Sequence, residues 1–122
     1  MRRLLASSLA LVALAAAAAA GAAGSAVHLT ISPAVVARGG TVHIRGNADG
    51  CSRGNTVFVI SRAFVHTHEF AGVSAVLARV RAGGAFRATT VIPRTRRPGR
   101  YNVTARCGGG NLGVLVHLTV RR

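Results

Sequence analysis

Acidic residues are almost absent from this chain, and their scarcity excludes several kinds of active site. Asp49 and Glu69 are the only carboxylate side chains, and they lie far apart in the sequence. Glycoside hydrolysis needs two carboxyl groups that flank the scissile bond, and a calcium site needs several acidic oxygens. We therefore predict that the protein is not an enzyme and uses no cofactor.

Cysteine is nearly as rare, with only Cys51 and Cys107 in the sequence. Neither belongs to a Cys-x-x-Cys motif, which makes a metal or redox pair the less favoured interpretation. In a small domain that is exported to an oxidising compartment, an even number of cysteines indicates a disulfide. The sequence therefore predicts a disulfide between Cys51 and Cys107.

Export is indicated by residues 1–26. The pair Arg2 and Arg3 is followed by an apolar run over residues 4–20 and then by small residues up to Ala26. These three parts are typical of a secretory signal peptide, with cleavage after Ala26 or a few residues earlier. An uncleaved membrane anchor is the alternative. No fuller twin-arginine motif surrounds the arginine pair, so the general secretion route is favoured.

We accordingly expect a signal-peptide helix within residues 1–26 and one domain over residues 27–122. The expected location is secreted, periplasmic or in the cell envelope, with no stable membrane insertion after cleavage. The sequence leaves the oligomeric state open.

Lysine is absent, whereas arginine occurs sixteen times, and the formal net charge is +14. Arg2 and Arg3 fall in the leader, so the rest of the chain carries +12. Such a surface attracts polyanions, among them anionic cell-envelope polymers, lipid head groups and nucleic acid. The alternative is a compositional bias in which arginine replaces lysine everywhere, because the arginines are spread along the chain.

Residues 27–122 alternate repeatedly between apolar and polar positions, which is typical of strands with one buried face. The predicted strands are residues 27–31, 41–46, 55–62, 73–82, 85–92, 100–107 and 113–120, with short edge segments near 35–36 and within 63–72. The continuous apolar run over residues 57–60 predicts a central strand that is covered on both faces. Gly83 and Gly84 predict a two-residue β-hairpin between their flanking strands. With no helix to carry a crossover, a parallel sheet is not expected.

Several segments resemble bacterial immunoglobulin-like domains. The opening strands of that family are similar to residues 30–33 (Thr-Ile-Ser-Pro), 38–46 (Arg-Gly-Gly-Thr-Val-His-Ile-Arg-Gly) and 54–57 (Gly-Asn-Thr-Val). The closing half is similar to residues 84–86 (Gly-Ala-Phe), 92–93 (Ile-Pro) and 98–105 (Pro-Gly-Arg-Tyr-Asn-Val-Thr-Ala). The strand spacing by itself predicts an antiparallel sandwich or barrel. With the resemblance, the prediction is an all-β, antiparallel immunoglobulin-like β-sandwich of about seven strands.

The resemblance implies a secreted or cell-surface binding or structural module, and it identifies no ligand. It also implies a position for Tyr101 near the start of the penultimate strand. There the tyrosine hydroxyl would tie down a neighbouring turn. Unlike the antibody bridge through the core, the Cys51–Cys107 bridge would staple two loops at one end of the sandwich.

The densest group of basic residues lies just before that strand, at Arg94, Arg96, Arg97 and Arg100. Four guanidinium groups beside a rigid Pro-Gly turn are suited to binding phosphate or carboxylate groups. We predict contact with an anionic cell-envelope polymer or a protein partner there, at the opposite end of the sandwich from the disulfide. A solvated loop is the alternative. Nucleic acid is not favoured, because few aromatic side chains remain for base stacking.

A second candidate site is His66-Thr67-His68-Glu69. Two histidines at positions i and i+2 of an extended segment point the same way, and imidazole and carboxylate groups bind zinc or copper. The alternative function is therefore an extracytoplasmic metal-binding protein that uses His66, His68 and Glu69. Solvated polar side chains are the simpler explanation for these residues.

Overall fold

The computed structural model of the protein describes residues 27–122, so the predicted signal-peptide helix lies outside the described residues. The described part forms nine β-strands and one short 3₁₀ turn, Ala82–Gly84. The strands are β1 His28–Ser32, β2 Val35–Ala37, β3 Thr41–Asn47, β4 Thr56–Ile60, β5 His68–Phe70, β6 Val73–Arg79, β7 Ala85–Val91, β8 Gly99–Cys107 and β9 Gly110–Arg121. No helix between residues 27 and 122 is long and apolar enough to cross a bilayer.

The strands form two sheets, which confirms the predicted all-β sandwich. One sheet has three strands in the order β1-β3-β7, and the other has six in the order β2-β9-β8-β4-β6-β5. The seven longer strands match the seven predicted from alternation. The two additional strands, β2 and β5, have three residues each and lie at the edges of the six-stranded sheet.

One pair of strands departs from the antiparallel expectation. Strand β2 runs parallel to β9, with Val35 opposite Thr119 and Ala37 opposite Arg121. A parallel pair needs a long connection, and we expected none because no helix was available to supply it. Here the six intervening strands are the connection, so a helix is not required.

The prediction of a hairpin at Gly83 and Gly84 is wrong. Strand β6 pairs with β4 and β5, whereas β7 pairs with β3 in the other sheet. The 3₁₀ turn therefore carries the chain from one sheet to the other. The glycines are still needed, because both have positive φ angles (74° and 85°). A local turn signal indicates a sharp reversal of the backbone, but it does not decide which strand will pair with which.

The hydrophobic core lies between the two sheets and is built by the alternation read from the sequence. The inward positions of β3 and β4 are fully or almost fully buried, as are Val103 and Ala105 of β8, Leu118 and Val120 of β9, and Phe64 between β4 and β5. The largest fully buried side chains include Phe64, Ile44, Ile92, Leu118, Val42, Val57, Val59 and Val103. Phe64 also takes part in the candidate site, because its backbone carbonyl accepts a hydrogen bond from Arg96.

Strand β4 is central in the six-stranded sheet, as predicted, but it is not covered on both faces. Val57 and Val59 are buried in the core, whereas Phe58 and Ile60 are only partly buried on the outer face. Phe58 packs there against Phe70 with 5.4 Å between the ring centroids. The apolar run therefore reflects a core face and an aromatic contact on the outer face.

The predicted disulfide between Cys51 and Cys107 is present, with 6.2 Å between the two Cα atoms. Cys51 lies in the turn that follows β3, and Cys107 is the last residue of β8. The bond therefore joins the two sheets at one end of the sandwich. The arginine-rich segment precedes β8, so it lies at the other end of that strand, as predicted.

Candidate anion-binding site

The basic loop, residues 92–98, connects β7 to β8 and is fixed to the turn between β2 and β3. The Gly39 amide donates to the Ile92 carbonyl at 2.8 Å, and the Ile92 amide donates to the Gly40 carbonyl at 2.9 Å. Within the loop, the Arg96 amide donates to the Pro93 carbonyl at 3.0 Å. These backbone hydrogen bonds fix the path of the loop and so the positions from which its arginine side chains extend.

The hydroxyl of Tyr101 holds the other end of the basic loop. It donates a hydrogen bond of 2.6 Å to the carbonyl of Arg97, four residues earlier. This contact confirms the role that the family resemblance implied for Tyr101. The loop is therefore tied at both ends before any partner binds.

Replacing Tyr101 with phenylalanine should destabilise the domain modestly. The ring keeps its packing, and only the hydrogen bond to Arg97 is lost, so we expect a loss of about 1 kcal/mol in the free energy of unfolding. For a domain of this size that corresponds to about 4–8 °C in Tm. Urea unfolding of Tyr101→Phe beside the wild type measures it. An unchanged midpoint would mean that the hydroxyl does not restrain the loop.

Arg96 is directed inward rather than into solvent. One of its terminal nitrogens donates to the carbonyl of Phe64 at 3.1 Å, which attaches the basic loop to the segment after β4. Its Nε is buried and finds no hydrogen-bond partner within the described residues. Because the guanidinium group has five N–H donors, this single contact leaves most of its binding capacity unused.

Arg100 is positioned by a neighbour on the next strand. A terminal nitrogen of its guanidinium group donates to Nδ1 of His117 on β9 at 3.0 Å. Because arginine can only donate, Nδ1 of His117 is the acceptor in this contact. The interaction fixes the direction of the guanidinium group and again leaves other donors available.

Two adjoining surface depressions lie where these arginines emerge. The first, of about 370 Å³, is lined by Arg62 and Arg100 together with Ser61, Asn102 and Thr104. The second, of about 330 Å³, is lined by Arg62, Arg96 and Ser74. Arg62 lines both, so it lies between Arg96 and Arg100. We call Arg62, Arg96 and Arg100 the arginine cluster.

The structure thus separates the four arginines that the sequence singled out. Arg96 and Arg100 line the depressions. Arg94 lies beside Gly39, where a Cβ on the glycine would come within 3.0 Å of the arginine stem. Arg97 contributes its carbonyl to Tyr101, and its side chain is exposed outside the two depressions.

Arg62 was missed by sequence reasoning. It follows β4, and β4 pairs with β8 in the antiparallel direction with Ile60 opposite Thr104. The end of β4 therefore lies beside the beginning of β8, close to Arg100. Predicting this neighbour requires the pairing of β4 with β8, which nothing local to Arg62 reveals.

No carboxylate lines either depression. Between residues 27 and 122 the one ion pair is His66 Nε2 with Glu69 Oε2 at 3.3 Å. Glu69 lies opposite Ser74, which lines the second depression, but Glu69 itself does not line it and contacts His66 instead. No ion pair joins Arg62, Arg96 or Arg100 to a carboxylate of the described residues.

The proposed metal ligands are only partly brought together. His66 contacts Glu69, but both of its ring nitrogens are already within hydrogen-bond distance of protein atoms. His68 lies on β5 opposite Ala75, whereas Glu69 lies opposite Ser74 on the other face of the strand. No group of three His, Cys, Asp or Glu side chains suited to a metal ion occurs in the described part of the chain. Zinc or copper binding by His66, His68 and Glu69 stays a prediction without structural support.

The remaining histidines do not join this segment. His28 and His43 lie on β1 and β3 in the three-stranded sheet, and His117 lies on β9 in the other sheet. These three histidines therefore do not extend the candidate metal site.

Comparison with protein-family models and with curated proteins finds no match. Among solved structures, the chain is similar to the Pseudomonas fluorescens alkylpurine DNA glycosylase AlkC bound to DNA containing an abasic site analog. That match has a TM-score of 0.52 and 18% identity, and it covers 80% of this chain but only 31% of the glycosylase. Macromomycin matches with a TM-score of 0.50 and 16% identity, over 76% of this chain and 97% of that one. At such low identity these likenesses show a shared β fold and nothing about function.

Proposed function

We propose that residues 27–122 form a non-catalytic immunoglobulin-like module, secreted or held at the cell envelope, that binds anionic polymers through the arginine cluster. The observation that carries the proposal is the convergence of Arg62, Arg96 and Arg100 on two adjoining depressions without a carboxylate in either lining. An anionic ligand supplies the charge that the protein itself does not.

The cluster is suited to binding because its side chains are held in advance. Arg96 is anchored to Phe64 and Arg100 to His117, so less side-chain freedom is lost when a ligand binds. The remaining N–H donors pair with phosphate or carboxylate oxygens. The amide group of Asn102 and the hydroxyl group of Thr104 offer neutral hydrogen bonds in the same depression.

An extracytoplasmic location is supported by the signal-like residues 1–26 and by the Cys51–Cys107 disulfide, which is favoured in oxidising compartments. A cell-envelope polymer is preferred over nucleic acid as the ligand. Phe64 and Phe86 are buried in the core, so they are unable to stack on bases. The arginine cluster also contains no exposed aromatic platform beyond the half-buried Tyr101.

The test compares two variants that lose the same charge. Arg62→Gln/Arg96→Gln/Arg100→Gln removes the cluster, and Arg94→Gln/Arg97→Gln/Arg121→Gln removes three exposed arginines outside the two depressions. Glutamine preserves much of the side-chain length and its hydrogen-bonding capacity, so folding should be retained. Affinity for polygalacturonate and for heparin is measured as a function of salt.

We expect the cluster variant to lose about tenfold in affinity and about three in the slope of log affinity against log salt, since three charge contacts disappear. The matched control should lose about twofold, through long-range charge alone. Equal losses in both variants would show that binding is a property of the diffuse basic surface and would overturn the proposed site.

A further inference from the structure

We propose a second anion site, on the outer face of the three-stranded sheet, in which Arg45 and Arg87 bind the phosphate groups of a polyphosphate-type polymer. The ligand class is shared with the proposed function, but the site is on the other sheet. Either proposal is therefore able to fail alone.

The first observation is a cross-strand pair of like charges. Arg45 on β3 lies directly opposite Arg87 on β7, and both side chains are exposed. Two like charges in this arrangement destabilise a sheet. Neither arginine has a carboxylate partner among residues 27–122, where the pair His66–Glu69 is the one ion pair. A bound anion between the two guanidinium groups would remove the repulsion.

The second observation is the composition of the surrounding face. Exposed positions of β1, β3 and β7 carry hydroxyl, imidazole, guanidinium and a few apolar groups, and no carboxylate. His43 Nδ1 lies 3.2 Å from the Thr89 hydroxyl in the row beside the arginine pair. Thr30 lies opposite Arg45 on its other side. The pair is therefore flanked by hydrogen-bonding groups in the adjacent row of the same two strands and by Thr30 on β1.

The third observation is that the same two arginines line two separate depressions. One, of about 360 Å³, contains Arg45 and Arg87 with His43 and Thr89. The other, of about 290 Å³, contains Arg45 and Arg87 with Arg81. The arginine pair thus lies at the boundary between two hollows, with a third guanidinium group in one of them. A chain of anions is able to occupy both hollows, whereas a single ion occupies one.

Geometry favours phosphate over carboxylate. Neighbouring strands lie about 4.8 Å apart, so the two guanidinium groups approach one anion from different directions. A tetrahedral phosphate has oxygens that diverge toward both groups, whereas the two coplanar oxygens of a carboxylate match the fork of one arginine. Because the face is open to solvent, tight binding requires several linked phosphates acting together rather than one free ion.

The decisive comparison uses Arg45→Thr/Arg87→Thr against Arg53→Thr/Arg79→Thr. Both double variants lose two positive charges from exposed positions, and Arg53 and Arg79 lie outside all four depressions described above. The probes are a linear polyphosphate, polygalacturonate and inorganic phosphate. We expect Arg45→Thr/Arg87→Thr to lose about tenfold in polyphosphate affinity and about two in the salt slope, and the control about twofold.

Three outcomes would overturn the inference. The first is a loss of polyphosphate affinity no greater than that of the control. The second is an equal loss of affinity for polygalacturonate. The third is that inorganic phosphate binds the wild type as well as polyphosphate does at the same total phosphate concentration. The thermal midpoint provides a readout that does not depend on affinity. Removing the like-charge pair should raise Tm in phosphate-free buffer by about 1–5 °C. A lowered Tm would contradict the claim that Arg45 and Arg87 destabilise the sheet when no anion is bound.

The cluster variant Arg62→Gln/Arg96→Gln/Arg100→Gln is measured with the same probes. If it loses polyphosphate binding while Arg45→Thr/Arg87→Thr does not, only the second site is rejected. If the reverse holds, only the site of the proposed function is rejected.

Discussion

Removing the disulfide with Cys51→Ala/Cys107→Ala is expected to lower the free energy of unfolding by about 4 kcal/mol. The bond closes a loop with a sequence separation of 56 residues. In the chain-entropy model, opening a loop of that length returns about this amount of conformational freedom to the unfolded state. At about 4–8 °C for each kcal/mol, Tm should fall by about 15 °C or more.

This loss is large for a domain of this size. Native domains are stable by only about 5–15 kcal/mol, and small ones bury the smallest fraction of their surface. We therefore expect the double variant to be partly unfolded near 37 °C. The urea m-value should also increase, because the unlinked chain exposes more surface when it unfolds.

Reduction of the wild type provides the control. Dithiothreitol should shift the wild-type midpoint to that of Cys51→Ala/Cys107→Ala and leave the double variant unchanged. A double variant whose Tm stays within a few degrees of the oxidised wild type would show that the two sheets hold together without the covalent link.

The second large effect is expected at Gly46, where alanine should destabilise the domain by about 2–3 kcal/mol through overpacking. Gly46 lies within β3 and is paired on both sides, with Leu29 of β1 and Phe86 of β7. A Cβ there would overlap the Phe86 ring and the carbonyl of His28, closer than real Cβ atoms approach. The carbonyl belongs to a paired strand, so it is not free to move away.

Two further variants isolate the cause of the Gly46 effect. Gly109→Ala is the matched control, because a Cβ at that position meets nothing within 4 Å, and we expect its unfolding midpoint to be nearly unchanged. Phe86→Leu removes the outer ring atoms that the methyl group added by Gly46→Ala would strike. In a double-mutant cycle the two substitutions should therefore couple favourably by about 1 kcal/mol. Additive losses would mean that the destabilisation by Gly46→Ala comes from the clash with the His28 carbonyl alone.

The sequence predicted the faces of the strands better than their partners. In β9, Val116, Leu118 and Val120 point inward as expected, because period-two alternation follows directly from strand geometry. The connection at Gly83 and Gly84 was predicted incorrectly because a positive φ angle describes only the local backbone at those two residues. Whether the next strand stays in the same sheet depends on the packing of the whole sandwich.

The same distinction applies to the candidate sites. Arg96 and Arg100 were found because they lie close together in the sequence. Arg62 joins them through the pairing of β4 with β8, and Arg45 meets Arg87 through the pairing of β3 with β7. Neither encounter has a local signature. Composition shows that the arginines are spread along the chain, but it does not specify which of them meet on the folded surface.

The parallel pairing of β2 with β9 has a consequence for the order in which the protein is made. A chain that emerges from a ribosome or an export channel presents β2 well before β9. Val35–Ala37 must therefore remain without its partner until residues 119–121 have emerged. The six-stranded sheet therefore gains this edge strand only after residue 121 has been made, so we expect this pairing to be among the last to form.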